Sequence, residues 1–391
     1  MARVVYPAHF SSKLSRDTLK TLVMRRWPLR TILGCILITA FTATVWAGRK
    51  KKEEEPKPQV LPLPRELPRA VSAVTSSLSF KVTPLLTTGH LSSQIHDALN
   101  DLIRGTKGSA IIKLRAFVAG AGDSRRVQQL VSDMFTDKKL PLPALTIVQV
   151  GALGKDASAV VIEAIVSGRQ AVNPNGLAFI ARQSAATLPE ALIKMNEAVG
   201  AAHLAAANLV SATCFTDRLA GYDAERQALA SAFPNAAVNL VQALRDPLDT
   251  KTTCQGIAQL PPGVAPTPGN NANVTFVTSP QIVFTGLQLS FGAYLDDADS
   301  ALSRMQRDVQ TVHADVRNTV LMNAFSIDPA AASAIEERMP KFNFPQNTLT
   351  VQPVQGLPSL DASLGLEAVL APGENSRTES NDQGMGVSAQ R

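Results

Sequence analysis

The sequence predicts an α+β protein made of three diverged copies of one small module, placed after an N-terminal signal or membrane anchor. Three observations carry this prediction. The order strand, helix, strand, helix, strand, strand occurs three times along the 391 residues. An apolar run preceded by arginines lies near the N-terminus, and the basic excess of the chain belongs to that leader. Two helices packed on one face of a sheet is a common layer architecture for such a module.

The leader, residues 1–48, has the pattern of an export signal. Arg25, Arg26 and Arg30 precede an apolar run at residues 31–46, and the small residues Ala47 and Gly48 follow it. This run is slightly shorter than the roughly 20 residues of a membrane span, so a cleaved signal and an uncleaved anchor both stay open. Either one predicts an exported protein, periplasmic or membrane-anchored, whose body lies outside the cytoplasm. Translation can begin at Met1 or at Met24.

Two further segments are predicted to lie outside the modules. Residues 49–74 are charged and then Pro-rich, a composition typical of an extended tether. Residues 372–391 are polar and are predicted to form a disordered tail. The three modules then occupy residues 75–168, 169–262 and 273–371.

The charge distribution argues against nucleic-acid binding. The formal charge is +6, but residues 1–60 hold 12 basic and 4 acidic residues, which leaves 26 basic and 28 acidic residues for the rest. Binding to a phosphate backbone needs a basic face on the folded domain itself. We therefore expect no nucleic-acid partner.

The cysteines and histidines indicate no metal site. Cys35, Cys214 and Cys254 have no metal-binding spacing, and the sequence holds no phosphate-binding loop, nucleophile elbow or zinc motif. We expect no metal and no cofactor. A disulfide between Cys214 and Cys254 suits an exported protein, but two buried free thiols are the favoured interpretation.

Periodicity places the elements of each module. Module 2 has predicted strands at residues 176–183, 208–216, 238–244 and 253–260, with helices at 188–202 and 222–233. Module 3 has strands at 282–289, 319–326, 347–355 and 365–370, with helices at 297–314 and 329–339. Module 1 has strands at 80–87, 110–119, 145–150 and 160–166, with helices at 92–104 and 123–135, and Asp123 is the expected N-cap of the second helix.

A resemblance to a known family follows from these segments. Residues 114–135 (LRAFVAGAGDSRRVQQLVSDMF) and 142–166 (LPALTIVQVGALGKDASAVVIEAIV) resemble the C-terminal half of the RidA/YjgF family. Module 2 shows the same order in CFTDRLAGYDAERQALASAFP, AVNLVQALRDP and CQGIAQL, and module 3 in FTGLQLS, VQPVQGLP and LGLEAVL. The resemblance covers about residues 78–371. It implies a chorismate-mutase-like fold and a homotrimer with clefts between subunits, which three linked copies would supply as a monomeric, single-chain pseudo-trimer.

The resemblance also implies a chemistry that this sequence does not retain. Active family members deaminate 2-imino or enamine acids with a carboxylate-binding Arg, a nearby Cys and a Glu that positions water. The Arg position falls on Leu145, on Ala236 or Ala237, and on Thr348 or Leu349. The Cys position falls on Ile147, Val238 and Val351, and the Glu position on Val161, Thr253 and Gly365, while Glu163 matches a second, non-catalytic Glu. Apolar side chains neither pair with a carboxylate nor orient a water.

These observations predict a degenerate, non-catalytic module that binds a small molecule or a protein, with no catalytic residue assigned. The predicted cleft-lining residues are Ser92, Arg182, Ser184 and Ser290, and the expected ligand is a small carboxylic or imino acid. The alternative is a 2-imino or enamine acid deaminase, a hydrolase that works at one remaining intermodule cleft and uses other residues such as Arg182. A scaffold role in an envelope complex is the third interpretation.

Overall fold

The structure describes the part of the chain that carries the three predicted modules. The computed structural model describes residues 65–120, 123–246, 251–263, 273–291 and 294–373, and these residues belong to one unit. The predicted leader, residues 49–64 of the predicted tether and nearly all of the predicted tail lie outside the described residues. Among the described residues, no helix is long and apolar enough to span a membrane.

Module 1 consists of a four-stranded sheet and two helices. Its elements are β1 (Ala70–Val74), β2 (Leu78–Val82), α1 (Leu91–Gly105), β3 (Ala110–Ala119), α2 (Arg125–Asp137), β4 (Ala144–Val150), β5 (Ala152–Leu153) and β6 (Val160–Ser167). The sheet order is β2-β6-β3-β4, and β1 and β5 join the sheets of other modules. The second helix starts two residues later than predicted. Ser124 is its N-cap residue, so the prediction of Asp123 as N-cap is wrong, although Asp123 Oδ1 accepts a hydrogen bond from the backbone N–H of Arg125 (3.1 Å).

Module 2 follows the predicted order closely. Its elements are β7 (Leu177–Ala185), α3 (Leu188–Ala201), β8 (Leu209–Thr216), α4 (Tyr222–Ala232), β9 (Ala237–Gln242) and β10 (Thr252–Gln259). The start of α3 is fixed by a capping box, in which the Thr187 side chain accepts from the Glu190 N–H and the Glu190 carboxylate accepts from the Thr187 N–H. Pro189 in the first turn removes a donor that would have no partner there.

Module 3 differs from the prediction at its first strand. Its elements are β11 (Val274–Val277), β12 (Gln281–Thr285), β13 (Gln288–Phe291), α5 (Tyr294–Gln310), β14 (Thr319–Ser326), α6 (Pro329–Arg338), β15 (Leu349–Pro353) and β16 (Ala362–Leu370). The single strand predicted at residues 282–289 is interrupted at Gly286 and Leu287. There the backbone turns to module 1, because the Gly286 N–H donates to the Arg69 carbonyl and the Leu287 N–H to the Leu145 carbonyl.

The same strand pairing occurs in all three sheets. The front strand pairs antiparallel with the last one in β2–β6, β7–β10 and β12–β16. The next strand pairs antiparallel with the last strand and parallel with its other neighbour, as β3 does with β6 and β4. The equivalent parallel pairs are β8–β9 and β14–β15. Each parallel pair is joined by a crossover helix, α2, α4 or α6, as parallel strands require.

Strands also cross from one module into the sheet of another. β1 pairs with β12 of module 3, β11 of module 3 pairs with β7 of module 2, and β5 of module 1 pairs with β9 of module 2. The tether predicted for residues 49–74 therefore ends before Ala70. The physical reason is that the edge of β12 offers unpaired backbone groups to the short run AVSAV.

The apolar core has an outer and an inner part. Three outer clusters, one in each module, fill the space between its helices and its sheet. On the opposite face of the sheets, residues of different modules pack together, for example Leu78, Phe179 and Phe284 in one cluster. Because both faces of the sheets are covered, β14 is buried along its whole length and its sequence shows no polar alternation.

The two module 2 cysteines form a disulfide. Cys214 and Cys254 lie directly opposite each other on β8 and β10, are fully buried, and are bonded to each other. The favoured interpretation of two free thiols is therefore wrong. Spacing along the sequence did not reveal the register of the two strands, and that register is what places the two sulfur atoms together.

Candidate functional site

The inner faces of the three sheets pack against one another around a common line, which we call the axis. Three phenylalanines lie on this axis. Phe117, Phe215 and Phe325 occupy the same position in β3, β8 and β14, and each is buried. The ring centroids are 5.6 Å apart for Phe117 and Phe215 and 6.3 Å apart for Phe215 and Phe325. Aromatic pairs at these separations contribute attraction beyond their buried area. Each module thus contributes one phenylalanine ring to a shared apolar cluster.

A polar residue lies two positions before each phenylalanine. Because side chains on one face of a strand recur every second residue, Arg115, Thr213 and Asn323 point to the same interior as the rings. Opposite them on the last strand of each module stand a carboxylate, an amide and a carboxylate, at Glu163, Gln255 and Glu367. The three modules therefore place different side chains at equivalent positions of the axis.

Glu367 of module 3 is bound by two cations of module 1. Its carboxylate lies 2.8 Å from Lys113 Nζ and forms a short ion pair with the guanidinium of Arg115. Thr146 donates to Glu367 Oε2 (2.5 Å) and Asn323 Nδ2 donates to Oε1 (2.9 Å). Every oxygen of this buried carboxylate is therefore paired, as a buried charge requires.

Glu163 of module 1 connects the same cluster to module 2. Arg115 Nη1 donates to Glu163 Oε2 (3.0 Å). Thr213 Oγ1 (2.6 Å) and Asn239 Nδ2 (2.8 Å) of module 2 both donate to Glu163 Oε1. We call Lys113, Arg115, Glu163 and Glu367, together with the neutral donors Thr146, Thr213, Asn239 and Asn323, the axial hub.

The electrostatics of the hub keep the Glu367 carboxylate ionised. Burial by itself would raise the pKa of Glu367, but Arg115, Lys113 and the hydrogen bonds from Lys113 and Thr146 outweigh it and hold the pKa far below its ordinary value. Burial lowers the pKa of Lys113, against the opposite effect of Glu367. A cavity of about 50 Å³ lies beside these groups. It is far smaller than the roughly 300 Å³ at which ligand pockets begin, so the hub is a structural cluster.

Larger clefts lie where two modules meet. Cleft I, between modules 3 and 1, has a volume of about 370 Å³. Cleft II, between modules 1 and 2, has about 360 Å³, and cleft III, between modules 2 and 3, about 470 Å³. Each lies beside the third strand of one module and the front strand of another, so no cleft is complete within one module.

Cleft II has an apolar floor and a charged rim. Val82, Val161 and Val238 line the floor, and the exposed side chains Lys155, Asp223 and Arg226 line the rim. The apolar residues can hold a short hydrocarbon chain, while the two cations can neutralise an anionic head group.

Tyr222 shapes the entrance of cleft II. Its ring lies on the backbone of Gly154, where an added Cβ would be 1.8 Å from Tyr222 Cδ2. Burial raises the pKa of Tyr222, while the positive charge of Arg226 acts in the opposite direction and the negative charge of Asp223 raises the pKa further. The phenol therefore stays protonated at neutral pH and can donate a hydrogen bond.

Cleft I also contains cations and a carboxylate. Arg69, Arg304 and Glu66 line it together with Leu145 and Ile147. The Arg304 guanidinium donates to the Leu289 carbonyl, which holds it against the cleft wall. The cations of cleft I thus come from the segment before β1 and from α5, rather than from the strand that carries the family Arg.

Cleft III has the largest volume and a more apolar lining. Ile327, Pro329 and Val351 line it, together with Lys251 and Ser184. Ser184 Oγ lies 2.9 Å from Thr253 Oγ1, so two hydroxyls of module 2 satisfy each other at its edge.

The four residues predicted to line clefts are placed at four different locations. Ser184 lines cleft III. Arg182, on β7, is half exposed and lies 4.0 Å from Glu336, outside the three clefts. Ser92 lies in the first turn of α1, where Arg126 Nε donates to its Oγ (3.4 Å). Ser290 is fully buried on β13. Only one of the four therefore contributes to a cleft.

The positions carried over from the family resemblance do come together in pairs. Val161 of module 1 and Val238 of module 2 both line cleft II. Thr253 of module 2 and Val351 of module 3 both line cleft III. The geometry therefore joins the Glu position of one module to the Cys position of the next, but with side chains that lack acid–base chemistry.

The sequence reasoning missed the axial hub and the cations of the clefts. A signal for the hub existed, because Lys113 and Arg115 alternate within the otherwise apolar strand AIIKLRAFVA. The single carboxylate of GLEAVL is the matching signal in module 3. Arg226 and Lys155 gave no such signal, because a cation on a helix surface or a loop usually faces solvent.

Comparisons with known proteins give similarities in fold over parts of the chain. No protein-family model matches this sequence, and no curated protein matches it either. The structure is similar to a chorismatase crystal structure at 9% identity, over 76% of each chain, with a TM-score of 0.38. It is also similar to Escherichia coli TdcF with bound serine, at 19% identity, over 24% of this chain and 81% of that one, with a TM-score of 0.22. A member of the YjgF protein family from Neisseria meningitidis matches at 9% identity, over 26% of this chain and 85% of that one, with a TM-score of 0.22. At TM-scores below 0.5 these similarities say nothing of function.

Proposed function

We propose that this chain is a RidA/YjgF-like single-chain pseudo-trimer that binds small carboxylic or imino acids in its intermodule clefts and does not hydrolyse them. Support for three diverged copies of one module comes from the identical strand pairing in the three sheets. The shared position of Phe117, Phe215 and Phe325 also supports it. Linking the copies makes their assembly intramolecular and independent of concentration.

The observation that carries the binding role is the composition of cleft II. Its floor is apolar, and Arg226, Lys155 and Tyr222 offer two positive charges and a hydroxyl donor at its rim, against one negative charge from Asp223. A carboxylate accepts hydrogen bonds from such donors, and charge-assisted bonds are the stronger ones. A ligand with a short apolar chain and a carboxylate matches this arrangement.

The absence of catalysis is proposed from the carried-over positions. Hydrolysis of an imine needs a positioned water and a group that exchanges its proton. Val161 and Val238 lie at the corresponding positions of cleft II and can do neither. The corresponding positions in cleft III, Thr253 and Val351, hold a hydroxyl and an alkyl group.

A calorimetric titration with butyrate tests the binding role. Butyrate should bind saturably, and the neutral analogue butyramide should not. Arg226→Gln should weaken butyrate binding by roughly 10- to 100-fold, because a hydrogen bond to a charged group contributes about 1.5–3 kcal/mol. Arg182→Gln removes a cation outside the three clefts and serves as the matched control. Equal binding of butyramide, or an unchanged affinity in Arg226→Gln, would contradict the proposal.

A second candidate function is a deaminase that works at one cleft with different residues. The observation that favours it is a carboxylate in the same cleft as a cation, since Asp223 and Arg226 both line cleft II. Asp223 is exposed and offers a general base if a ligand fixes a water beside it. Asp223→Asn should then abolish imino acid hydrolysis while leaving butyrate binding intact.

We also propose that the body lies in an oxidising compartment, exported or tethered by the N-terminal segment. The buried Cys214–Cys254 disulfide supports this, because structural disulfides persist outside the reducing cytosol. Alkylation of the cellular protein under denaturing, non-reducing conditions should leave both cysteines unmodified. Modification of both would contradict this location.

A further inference from the structure

The axial hub differs among the modules in charge. Module 1 supplies Lys113, Arg115 and Glu163, which gives one net positive charge. Module 3 supplies Glu367, which gives one net negative charge. Module 2 supplies only neutral donors to the hub, such as Thr213. The hub is therefore neutral when each module is present once.

Hydrogen bonds of the hub also depend on which module is the neighbour. Lys113 Nζ donates to the Thr285 carbonyl of module 3 (2.5 Å) as well as to Glu367. The Glu163 carboxylate accepts from Thr213 and Asn239 of module 2. Module 1 thus requires a carboxylate on one side and neutral donors on the other.

We propose that the axial hub selects which modules assemble around the axis, so that module 1 pairs with module 3 and a second copy of module 1 or of module 3 from a different chain is excluded. This inference rests on the three-module arrangement proposed above, but not on ligand binding in the clefts.

The physical reason is the cost of a buried net charge. An assembly with a second module 1 in place of module 3 would bury extra cations without the Glu367 carboxylate. An assembly with a second module 3 in place of module 1 would bury carboxylates without a cation. Unpaired buried charges are strongly unfavourable. The apolar layers do not discriminate in this way, because Phe117, Phe215 and Phe325 are identical.

A buried ion pair is weak evidence for stability, and the role assigned to it here is specificity. Replacing such a cluster with neutral residues of similar volume is often tolerated by the fold, whereas removing one partner is not. The proposal therefore predicts that a neutral hub still folds but loses its selectivity for composition.

The test uses the full chain with Lys113→Met, Arg115→Met, Glu163→Gln and Glu367→Gln combined. Wild-type and variant proteins are refolded at concentrations up to about 1 mM, the order of the effective concentration that linkage gives neighbouring modules, and mass is measured by size-exclusion chromatography with light scattering. We expect the wild type to return as a monomer and the variant to form oligomers, with the oligomeric fraction rising several-fold with concentration. A variant that stays monomeric over the whole range would overturn the proposal.

A matched control removes charges from a different intermodule contact. Arg182 of module 2 and Glu336 of module 3 form an exposed pair at 4.0 Å. The double variant Arg182→Gln, Glu336→Gln should refold as a monomer like the wild type. Oligomers of this control would show that loss of charge at any module boundary suffices, which would also overturn the role assigned to the hub.

If the fourfold variant does not fold, a double-mutant cycle of melting temperatures tests the proposal instead. Lys113→Met and Glu367→Gln each leave one uncompensated charge in the hub, while the double variant restores neutrality. The double variant should therefore melt at a higher temperature than either single variant. Losses that simply add would mean that the two residues act through packing alone, and would overturn the proposal. Butyrate binding in cleft II is an independent measurement, so failure of either proposal can be told from failure of the other.

Discussion

The axis and the clefts of this protein are both formed where modules meet, but their side chains are arranged in opposite ways. At the axis, charged groups are buried and every oxygen of Glu367 is paired with a neighbour from the hub. In the clefts, cations such as Arg226 line open volumes of several hundred Å³. Glu367 has no unpaired oxygen to offer a ligand, and Arg115 Nε, which lacks a hydrogen-bond partner, is buried, whereas a cation at the rim of an open cleft is accessible. We therefore propose that the axis holds the modules together and that the clefts bind ligands.

The largest loss of stability is expected when the phenylalanine cluster of the axis is disrupted. Phe215 contacts both other rings of the cluster, so Phe215→Ala should lower the free energy of unfolding by about 3–5 kcal/mol. Urea denaturation followed by circular dichroism measures this. Phe291→Ala, at a ring that is 46% exposed, is the matched control and should cost about 1 kcal/mol or less. Equal losses in the two variants would contradict a special role of the axis.

Removal of the disulfide should have the next largest effect. Cys214 and Cys254 are separated by 40 positions, and closing a loop of that length in the unfolded chain corresponds to about 4 kcal/mol. The double variant Cys214→Ala, Cys254→Ala should lose this amount in urea denaturation, and added reductant should have no further effect on it. A wild type whose stability does not change on full reduction would contradict the expectation.

The substitution Glu367→Gln tests whether a buried charge at the axis contributes more to stability than an exposed charge at the surface. It removes the charge that pairs with Lys113 and Arg115, so the free energy of unfolding should fall by roughly 3 kcal/mol. Glu336→Gln removes an exposed carboxylate from an ion pair and should change stability by less than about 1 kcal/mol. If both variants are equally stable, the hub is not needed to hold the modules together.

The pH dependence of stability should report the same carboxylate. The pKa of Glu367 is far below its ordinary value of about 4.3 in the folded state. Its ionised form therefore contributes stability above that ordinary pKa, and the contribution is lost as pH falls below it. The stability difference between wild type and Glu367→Gln should accordingly shrink as the pH is lowered through about 4. A difference that is constant down to acid pH would show that the carboxylate is not the titrating group.

The smallest effect on stability is expected in the clefts. Arg226→Gln alters an exposed side chain on α4 and should change the free energy of unfolding by about 0.5 kcal/mol or less. The same substitution should weaken butyrate binding strongly, so stability and binding separate in this variant. A large loss of stability would mean that Arg226 holds the modules together and that cleft II is part of the packing.

The elements of the fold could be predicted from the sequence better than the contacts between modules. β3 lies at the predicted residues 110–119, because a long apolar run bounded by polar residues identifies a strand buried on both faces. β1 was assigned to a tether, since a five-residue run reveals its partner β12 only in three dimensions. The break at Gly286 was missed for the same reason, because it depends on hydrogen bonds to module 1.

The candidate site was less predictable than the fold. The family resemblance directed attention to strand positions such as Val161 and Val238, and the structure does bring these two together. Arg182 followed from the idea that a strand cation points into a cleft, but it faces Glu336 instead. Arg226 could not be found from periodicity, because only the packing of Tyr222 on Gly154 shows that the start of α4 borders a cleft.

The most direct test of a binding protein without hydrolytic activity is an imino acid hydrolysis assay on the purified full chain. Imino acids are generated in situ, and semicarbazide traps what remains unhydrolysed. Because Val161 and Val238 stand where a catalytic pair would be needed, we predict that the keto acid is released at the same rate with and without the protein. Accelerated release from a folded, monomeric protein, abolished by Asp223→Asn, would contradict this account and establish a working cleft.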